Sequence, residues 1–167
     1  MPQYKIFNGP LPTTAAQLAV TTGTAIKTML QVKGVTAVQF KVLAWGISFD
    51  GAAAAAGIQA ELLETGTVFA TVTASAAGDL LKWDDPNAPA STTYFSVGTS
   101  ATGYTSTAEG TITTTRVFDS QFIQPTGQYV WEFSLGREPK VDAVSALRIR
   151  VKAAAAVNAV CWVLVEV

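Results

Sequence analysis

The side chains of this chain that could do chemistry are few, and the densest group is Asp84 and Asp85 with Asp79 nearby. Carboxylates that converge on one point could bind a divalent cation, and Asn87 could add an amide oxygen. These residues also flank Pro86 in a polar stretch, where aspartates commonly accept hydrogen bonds from the backbone amides of a turn. We prefer the turn and predict no metal site.

Other catalytic side chains are scarce. The chain has no histidine and one cysteine, Cys161, which excludes Ser-His-Asp and Cys-His nucleophile systems and, within one chain, a zinc site made of thiolates. Cys161 lies in the apolar run 159–165, which predicts a buried, unreactive thiol. Glu61 or Glu132 could supply a glycosidase carboxylate, but we expect both to face solvent on strands. We predict that the protein is not an enzyme and uses no cofactor.

Two long polar stretches, 76–91 and 98–110, are candidates for binding a partner. Loops of this length are commonly functional. Each carries an aromatic residue, and an aromatic ring can stack on a sugar such as a host-surface glycan. The candidate partner-binding residues of these loops are Trp83, Asp84, Asp85 and Tyr104.

A second group of candidates lies in strand-like segments. Between 128 and 135 the large apolar residues recur at every second position, which predicts a half-buried strand. In 111–119, we expect Arg116 to share a face with Ile112, Thr114 and Phe118. A guanidinium there needs a carboxylate or carbonyl partner, which an adjoining subunit could supply. The candidate subunit-interface residues are Arg116, Phe118, Trp131 and Phe133.

The segment 38–50 is the one around which we expect the other strands to be arranged. Val38, Phe40 and Val42 alternate with polar residues, as on a strand with one buried face. From Leu43 onward the large residues occupy odd positions. A bulge near 44–46, where Gly46 stands, would explain this change of face.

The whole pattern predicts an all-β fold, an antiparallel, jelly-roll-like β-sandwich of about eight to ten strands. We expect the sandwich to span 25–167, with its last strand running to the end of the chain and the alanine run 52–56 in a loop. In 147–151, Arg148 and Arg150 are predicted to face solvent. Residues 1–24 are predicted to form an extended arm with a short strand near Tyr4, either a mobile tail or a strap onto a neighbouring subunit.

Composition favours assembly over chemistry. The 167 residues are 49% hydrophobic but only 14% charged, against a typical charged share of about 25%. Much of the surface is therefore expected to be buried against other chains. The net charge of −1 comes without a basic stripe, so we expect no nucleic-acid partner. No segment suits a membrane or a signal peptide, and synthesis in the cytosol is expected.

Several segments resemble the head-decoration (minor capsid, cement) proteins of tailed bacteriophages. The resemblance implies a β-sandwich similar to jelly-roll or tumour-necrosis-factor-like trimers. It further implies a place in the virion, on the outer surface of the head at threefold or quasi-threefold positions, with the major capsid protein as partner. A carbohydrate- or receptor-binding module of a head fibre or tail is the alternative. The segments are 41–51 (KVLAWGISFDG), 59–66 (QAELLETG), 84–91 (DDPNAPAS), 98–119 (GTSATGYTSTAEGTITTTRVFD), 128–139 (QYVWEFSLGREP) and 147–158 (LRIRVKAAAAVN).

Overall fold

The predicted antiparallel β-sandwich is confirmed by the computed structural model, which describes residues 1–52, 55–112 and 115–167. These residues form thirteen strands and two short 3-10 turns, without an α-helix. The predicted loop at 52–56 falls partly outside the described residues, and the predicted position of Thr114 falls entirely outside them. The strands are β1 (Gln3–Phe7), β2 (Val20–Thr21), β3 (Lys27–Val32), β4 (Phe40–Phe49), β5 (Ile58–Thr65), β6 (Thr71–Ala74), β7 (Leu80–Lys82), β8 (Gly103–Ala108), β9 (Thr115–Ile123), β10 (Gln128–Glu132), β11 (Lys140–Val141), β12 (Ala146–Lys152) and β13 (Asn158–Glu166).

The strands form two antiparallel sheets. The first sheet has the order β10-β4-β13-β1-β7, and β11 and β2 pair with β4 and β13. The second sheet has the order β6-β8-β3-β12-β5-β9. The strand count exceeds the eight to ten predicted because β2, β7 and β11 have only two or three residues each, too few for alternation to be recognised.

The predicted central strand is β4, which pairs with both β10 and β13. The predicted bulge is present one position early. The register between β4 and β13 shifts between Leu164 and Val165, and Leu43 has no partner there. An unpaired residue reverses which side chains point inward. The buried apolar positions accordingly change from Phe40 and Val42 to Trp45, Ile47 and Phe49.

We had expected residues 1–24 to form an extended arm, but both strands of this segment belong to the first sheet. β1 is an inner strand of the first sheet, hydrogen-bonded to β13 on one side and β7 on the other. Its alternate residues Tyr4 and Ile6 are fully buried. β2 then pairs with β13, and the longest stretch of this segment outside strands is 8–19. Burial of one apolar face holds this segment in the fold.

The last strand behaves as predicted. β13 lies between β4 and β1, and the Val167 amide donates to the Pro2 carbonyl at 3.1 Å. Cys161 is fully buried on its inner face, and this burial raises the pKa of the thiol. A thiol that resists ionisation is unreactive, since the thiolate is the nucleophile.

Candidate interface at the open edge of the sandwich

β9 and β10 together form one edge of the sandwich. Each is the last strand of its sheet, and within the described residues each pairs on one side only. The turn between them crosses from the second sheet to the first, and the Gly127 amide donates to the Gln124 carbonyl there at 2.8 Å. A strand at the end of a sheet leaves backbone donors and acceptors on its outer side unpaired by the sheet. Both edge strands therefore offer backbone groups to another chain.

A carboxylate, Asp119, ties the two sheets together at this edge. Its Oδ2 accepts hydrogen bonds from Nε1 of Trp45 at 3.1 Å and from the hydroxyl of Tyr129 at 2.8 Å. Its Oδ1 accepts one from Nε2 of Gln121 at 2.8 Å. The bonds from Trp45 and Tyr129 join β9 to β4 and β10, and the bond from Gln121 lies within β9. The edge therefore has a defined shape in the single chain.

The bond between Tyr129 and Asp119 leads to a prediction about alkaline pH. Burial, followed by the hydrogen bond to the carboxylate, raises the pKa of Tyr129 from 10.0 to about 12. Because the folded state favours the protonated phenol, its contribution to stability is complete below pH 10 and is lost as the pH rises through 12. We expect denaturant titrations to show the free energy of unfolding falling over this interval.

The Tyr129→Phe variant serves as the control, because it removes the phenol while keeping the ring. The variant should lack the part of the decline in the free energy of unfolding that is due to Tyr129. The phenolate absorbance of the unaltered protein minus that of the variant should rise near pH 12. A difference spectrum centred near pH 10 would contradict the raised pKa.

Exposed apolar side chains are concentrated at the same edge. Phe122 is 79% exposed and Leu135 97% exposed. Exposed apolar side chains on the strands that end the two sheets are candidates for contact with another chain. Of the charged residues on β9 and β10, Arg116 and Asp119 bond within the chain, whereas the exposed Glu132 at the end of β10 could discourage pairing with a further strand. We call this group the edge patch, and it consists of Val117, Phe122, Val130, Trp131 and Leu135.

All four predicted interface residues lie at this edge, although contact with a second subunit stays a prediction. Trp131 on β10 is about half exposed, and Phe118 and Phe133 pack against the core while remaining partly accessible. Phe118 is the extra residue of a bulge where β9 pairs with β5. The bulge removes Phe118 from the simple alternation that placed it beside Arg116 in the sequence. Its ring still lies 5.4 Å from the Arg116 guanidinium.

The partner of Arg116 lies within the chain, and no adjoining subunit is needed to supply it. Its guanidinium donates to the Glu64 carboxylate and to the Lys140 carbonyl, the latter at 2.6 Å. Glu64 is almost fully buried and also accepts from the Asp142 amide at 2.8 Å. Our sequence reasoning overlooked Glu64. The available signal was its position two residues after Leu62, because residues two apart on a strand share a face and Leu62 is buried.

A cleft lies around this ion pair. Its volume is about 450 Å³. Both Glu64 oxygens accept hydrogen bonds from groups within the chain. The arrangement holds β5, β9 and the segment after β11 together, and we read it as structural.

The aspartates near Pro86 cap backbone amides, as we preferred. Asp84 Oδ1 accepts from the Gln3 amide at 2.9 Å, and Asp85 Oδ1 accepts from the Asn87 amide at 2.8 Å. The Gln3 amide is the main cause of the lowered pKa of Asp84. Within the described ranges, no three His, Cys, Asp or Glu residues are grouped as metal ligands would be.

The other two predicted binding residues, Trp83 and Tyr104, do not form a common site. Tyr104 lies inside β8 opposite Leu30, so the predicted loop 98–110 is partly a strand of the second sheet. Trp83 follows β7 in the first sheet, where it is 54% exposed. The sequence did not reveal β8 because its residues are Thr, Ser, Gly, Ala and Tyr without apolar alternation.

The class that these observations define is an antiparallel β-sandwich with an apolar, unpaired edge. Comparisons with models of known families, with curated proteins and with solved structures found no match to this chain. No helix in the described part of the chain is long and apolar enough to cross a bilayer. The resemblance to phage head-decoration proteins stays a prediction.

Proposed function

We propose that this protein is a structural component of a virion, a trimeric capsid-decoration protein. It binds the outer surface of a phage head at threefold or quasi-threefold positions and stabilises the shell. The observation that carries the proposal is the edge patch, four large apolar side chains on β9 and β10 and Leu135 in the turn after β10, all largely exposed within the described chain. The segments resembling head-decoration proteins support it independently.

Closed threefold symmetry gives the edge a partner. In a ring of three, the edge of each copy packs against another surface of the next copy, and no edge is left to recruit further chains. Burying one large apolar side chain contributes about 1.5–3 kcal/mol, so the five side chains of the edge patch together match the lower estimates of the association cost, about 4–15 kcal/mol.

Binding suits this chain better than catalysis does. Three of the carboxylates in clefts or at the sheet edge, Glu64, Glu109 and Asp119, accept hydrogen bonds from neighbours within the chain. Their bonds hold strands and loops in place. The low charge of the chain also suits a subunit that contacts the major capsid protein over an uncharged surface. Many modest contacts repeated around a shell hold by avidity.

The test combines native mass with shell binding. In sedimentation at micromolar concentration we expect a species of three times the 17.5 kDa chain mass. We expect the same species to co-sediment with expanded shells of the parent phage prepared without it, and to raise their melting temperature. A protein that stays monomeric and remains in the supernatant would refute the proposal.

A further inference from the structure

Lys5 holds an unusual position on the outer face of the first sheet. Its ammonium nitrogen lies 4.0 Å from the ring centroid of Trp162 and 4.6 Å from that of Trp83. The Phe7 ring is next, at 5.5 Å. An ammonium over an aromatic face is attracted by the electrons of the ring. We call Lys5, Trp83 and Trp162 the lysine–tryptophan cluster.

Strand register brings the cluster together. Lys5 lies on β1 opposite Leu164 of β13 and Leu81 of β7. Trp162 precedes Leu164 by two residues and Trp83 follows Leu81 by two, so all three cluster residues share the outer face. Lys5 therefore has one indole on the side of β13 and one on the side of β7. Both indoles are at diagonal positions, which long side chains can reach.

The Trp162 indole is held in place from beneath. A β-carbon added at Gly46 of β4 would lie 2.7 Å from Cε2 of Trp162, so the ring packs directly on the strand where glycine leaves room. Trp162 is half-buried, and its position in turn limits where the Lys5 ammonium can lie. A binding group held in position before the ligand arrives loses less entropy on binding.

Lys5 also lacks the oxygen partners that similar lysines have. Four lysines of the described chain are half-buried. Lys27, Lys33 and Lys41 donate to carbonyl or carboxylate oxygens at 2.8, 3.0 and 3.3 Å. Lys5 makes no hydrogen bond or ion pair with any described residue, and burial lowers its pKa. A partly desolvated ammonium with three unused donors is stabilised by a bound anion.

We propose that the lysine–tryptophan cluster binds an acidic carbohydrate. The carboxylate of a uronic or sialic acid pairs with the Lys5 ammonium, and the C–H face of a sugar ring stacks on the exposed indole of Trp83. Trp162 positions the lysine. A single cation beside an apolar aromatic face suits one carboxylate on a ring, whereas nucleic acids are bound by many cations along phosphates.

The two residues that contact the sugar in this proposal lie away from the edge patch. Lys5 on β1 and Trp83 after β7 are at one end of the first sheet, and β10 is at the opposite end. Trp162 reaches further toward β10, because its ring packs on Gly46, the partner of Val130. Acidic-sugar binding goes beyond shell stabilisation, and it is tested without shells.

The experiment is a panel of immobilised oligosaccharides carrying uronic or sialic acids, each beside a neutral counterpart that lacks the carboxylate. Binding of soluble sugars is also followed by tryptophan fluorescence. The variants are Lys5→Met, Lys5→Arg and Trp83→Ala. Lys152→Met is the matched control, since Lys152 is an exposed lysine on β12 of the other sheet.

We expect the protein to bind at least one acidic sugar over its neutral counterpart. Lys5→Met should weaken this binding about ten- to a hundredfold through loss of a charge-assisted hydrogen bond. Lys5→Arg should retain part of it, Trp83→Ala should weaken it, and Lys152→Met should match the unaltered protein. Thermal melting shows whether each variant is folded. If Lys5→Met is unfolded, the sugar binding of Trp83→Ala, a change at an exposed residue, decides whether the proposal holds. Equal binding of acidic and neutral sugars, no binding, or binding unchanged in the cluster variants would overturn the proposal.

Discussion

Replacing Arg148 by methionine lowers the free energy of unfolding by about 3–5 kcal/mol, the range seen when one member of a buried ion pair is removed. Arg148 lies on the outer face of the second sheet, where our sequence reasoning placed it in solvent, yet it is 0% exposed. The chain returns over this face after β5 and after β8. The guanidinium donates to the carbonyls of Val68 at 2.6 Å and Glu109 at 3.1 Å.

The carboxylate of Glu109 completes the environment of Arg148. Its Oε2 lies 3.7 Å from the guanidinium and also accepts from the Thr28 hydroxyl at 2.6 Å. Burial lowers the pKa of Arg148, and the Glu109 carboxylate partly offsets this effect. Methionine would leave two carbonyls and a partly buried carboxylate without this donor. Each charge-assisted bond of this kind contributes about 1.5–3 kcal/mol.

The matched control is Arg150→Met, on the same face of the same strand two residues further on. Arg150 makes one bond, to Glu61 at 2.9 Å, and both partners are partly accessible. We expect a smaller loss, about 1.5–3 kcal/mol, the contribution of one charge-assisted hydrogen bond. Denaturant unfolding of the three proteins measures the difference. Equal losses in both variants would show that the covering segments do not shield Arg148.

Replacing Phe122 by aspartate together with Trp131 by alanine abolishes the trimer that we propose. Truncating a central tryptophan of an interface commonly costs about 2 kcal/mol or more, about thirtyfold in each contact. A carboxylate on the edge adds a desolvation penalty and discourages strand pairing. Both residues are exposed, so the stability of the folded monomer should change by only about 0.5 kcal/mol per substitution.

Val144→Asp is the control for this experiment. Val144 is 55% exposed, much like Trp131, but lies in the connection from β11 to β12 and is not one of the edge-patch residues. Sedimentation should give monomers for the edge variant and trimers for the control, and only the edge variant should fail to protect shells. An edge variant that keeps the full trimer mass would place the subunit interface elsewhere.

Local patterns predicted local outcomes well. The buried face of β4 and its change near Leu43 were readable because a bulge alters side-chain alternation within a few residues. The capping of backbone amides by Asp85 was readable for the same reason, since donor and acceptor are two positions apart. The core position of Cys161 followed from an apolar run. In each case the residues that interact are close along the chain.

The candidate site needed contacts between distant segments. The edge patch was only partly predicted: Trp131 and Leu135 belong to the period-two pattern of 128–135, whereas Phe122 did not stand out, because its exposure depends on β9 being the last strand of its sheet. The lysine–tryptophan cluster joins residues 5, 83 and 162, and only the pairing of β1 with β7 and β13 places them together.

What the sequence by itself determined is therefore the β-sandwich, its central strand and the scarcity of catalytic groups. Tertiary structure alone decided which outward-pointing residues meet solvent. Arg148 and Arg150 have the same local pattern, but only Arg148 lies beneath the returning chain. Alternation records the face to which a side chain points, whereas its environment depends on segments 39 and 80 residues away. The same limit applied to Arg116, whose carboxylate partner lies 52 residues earlier.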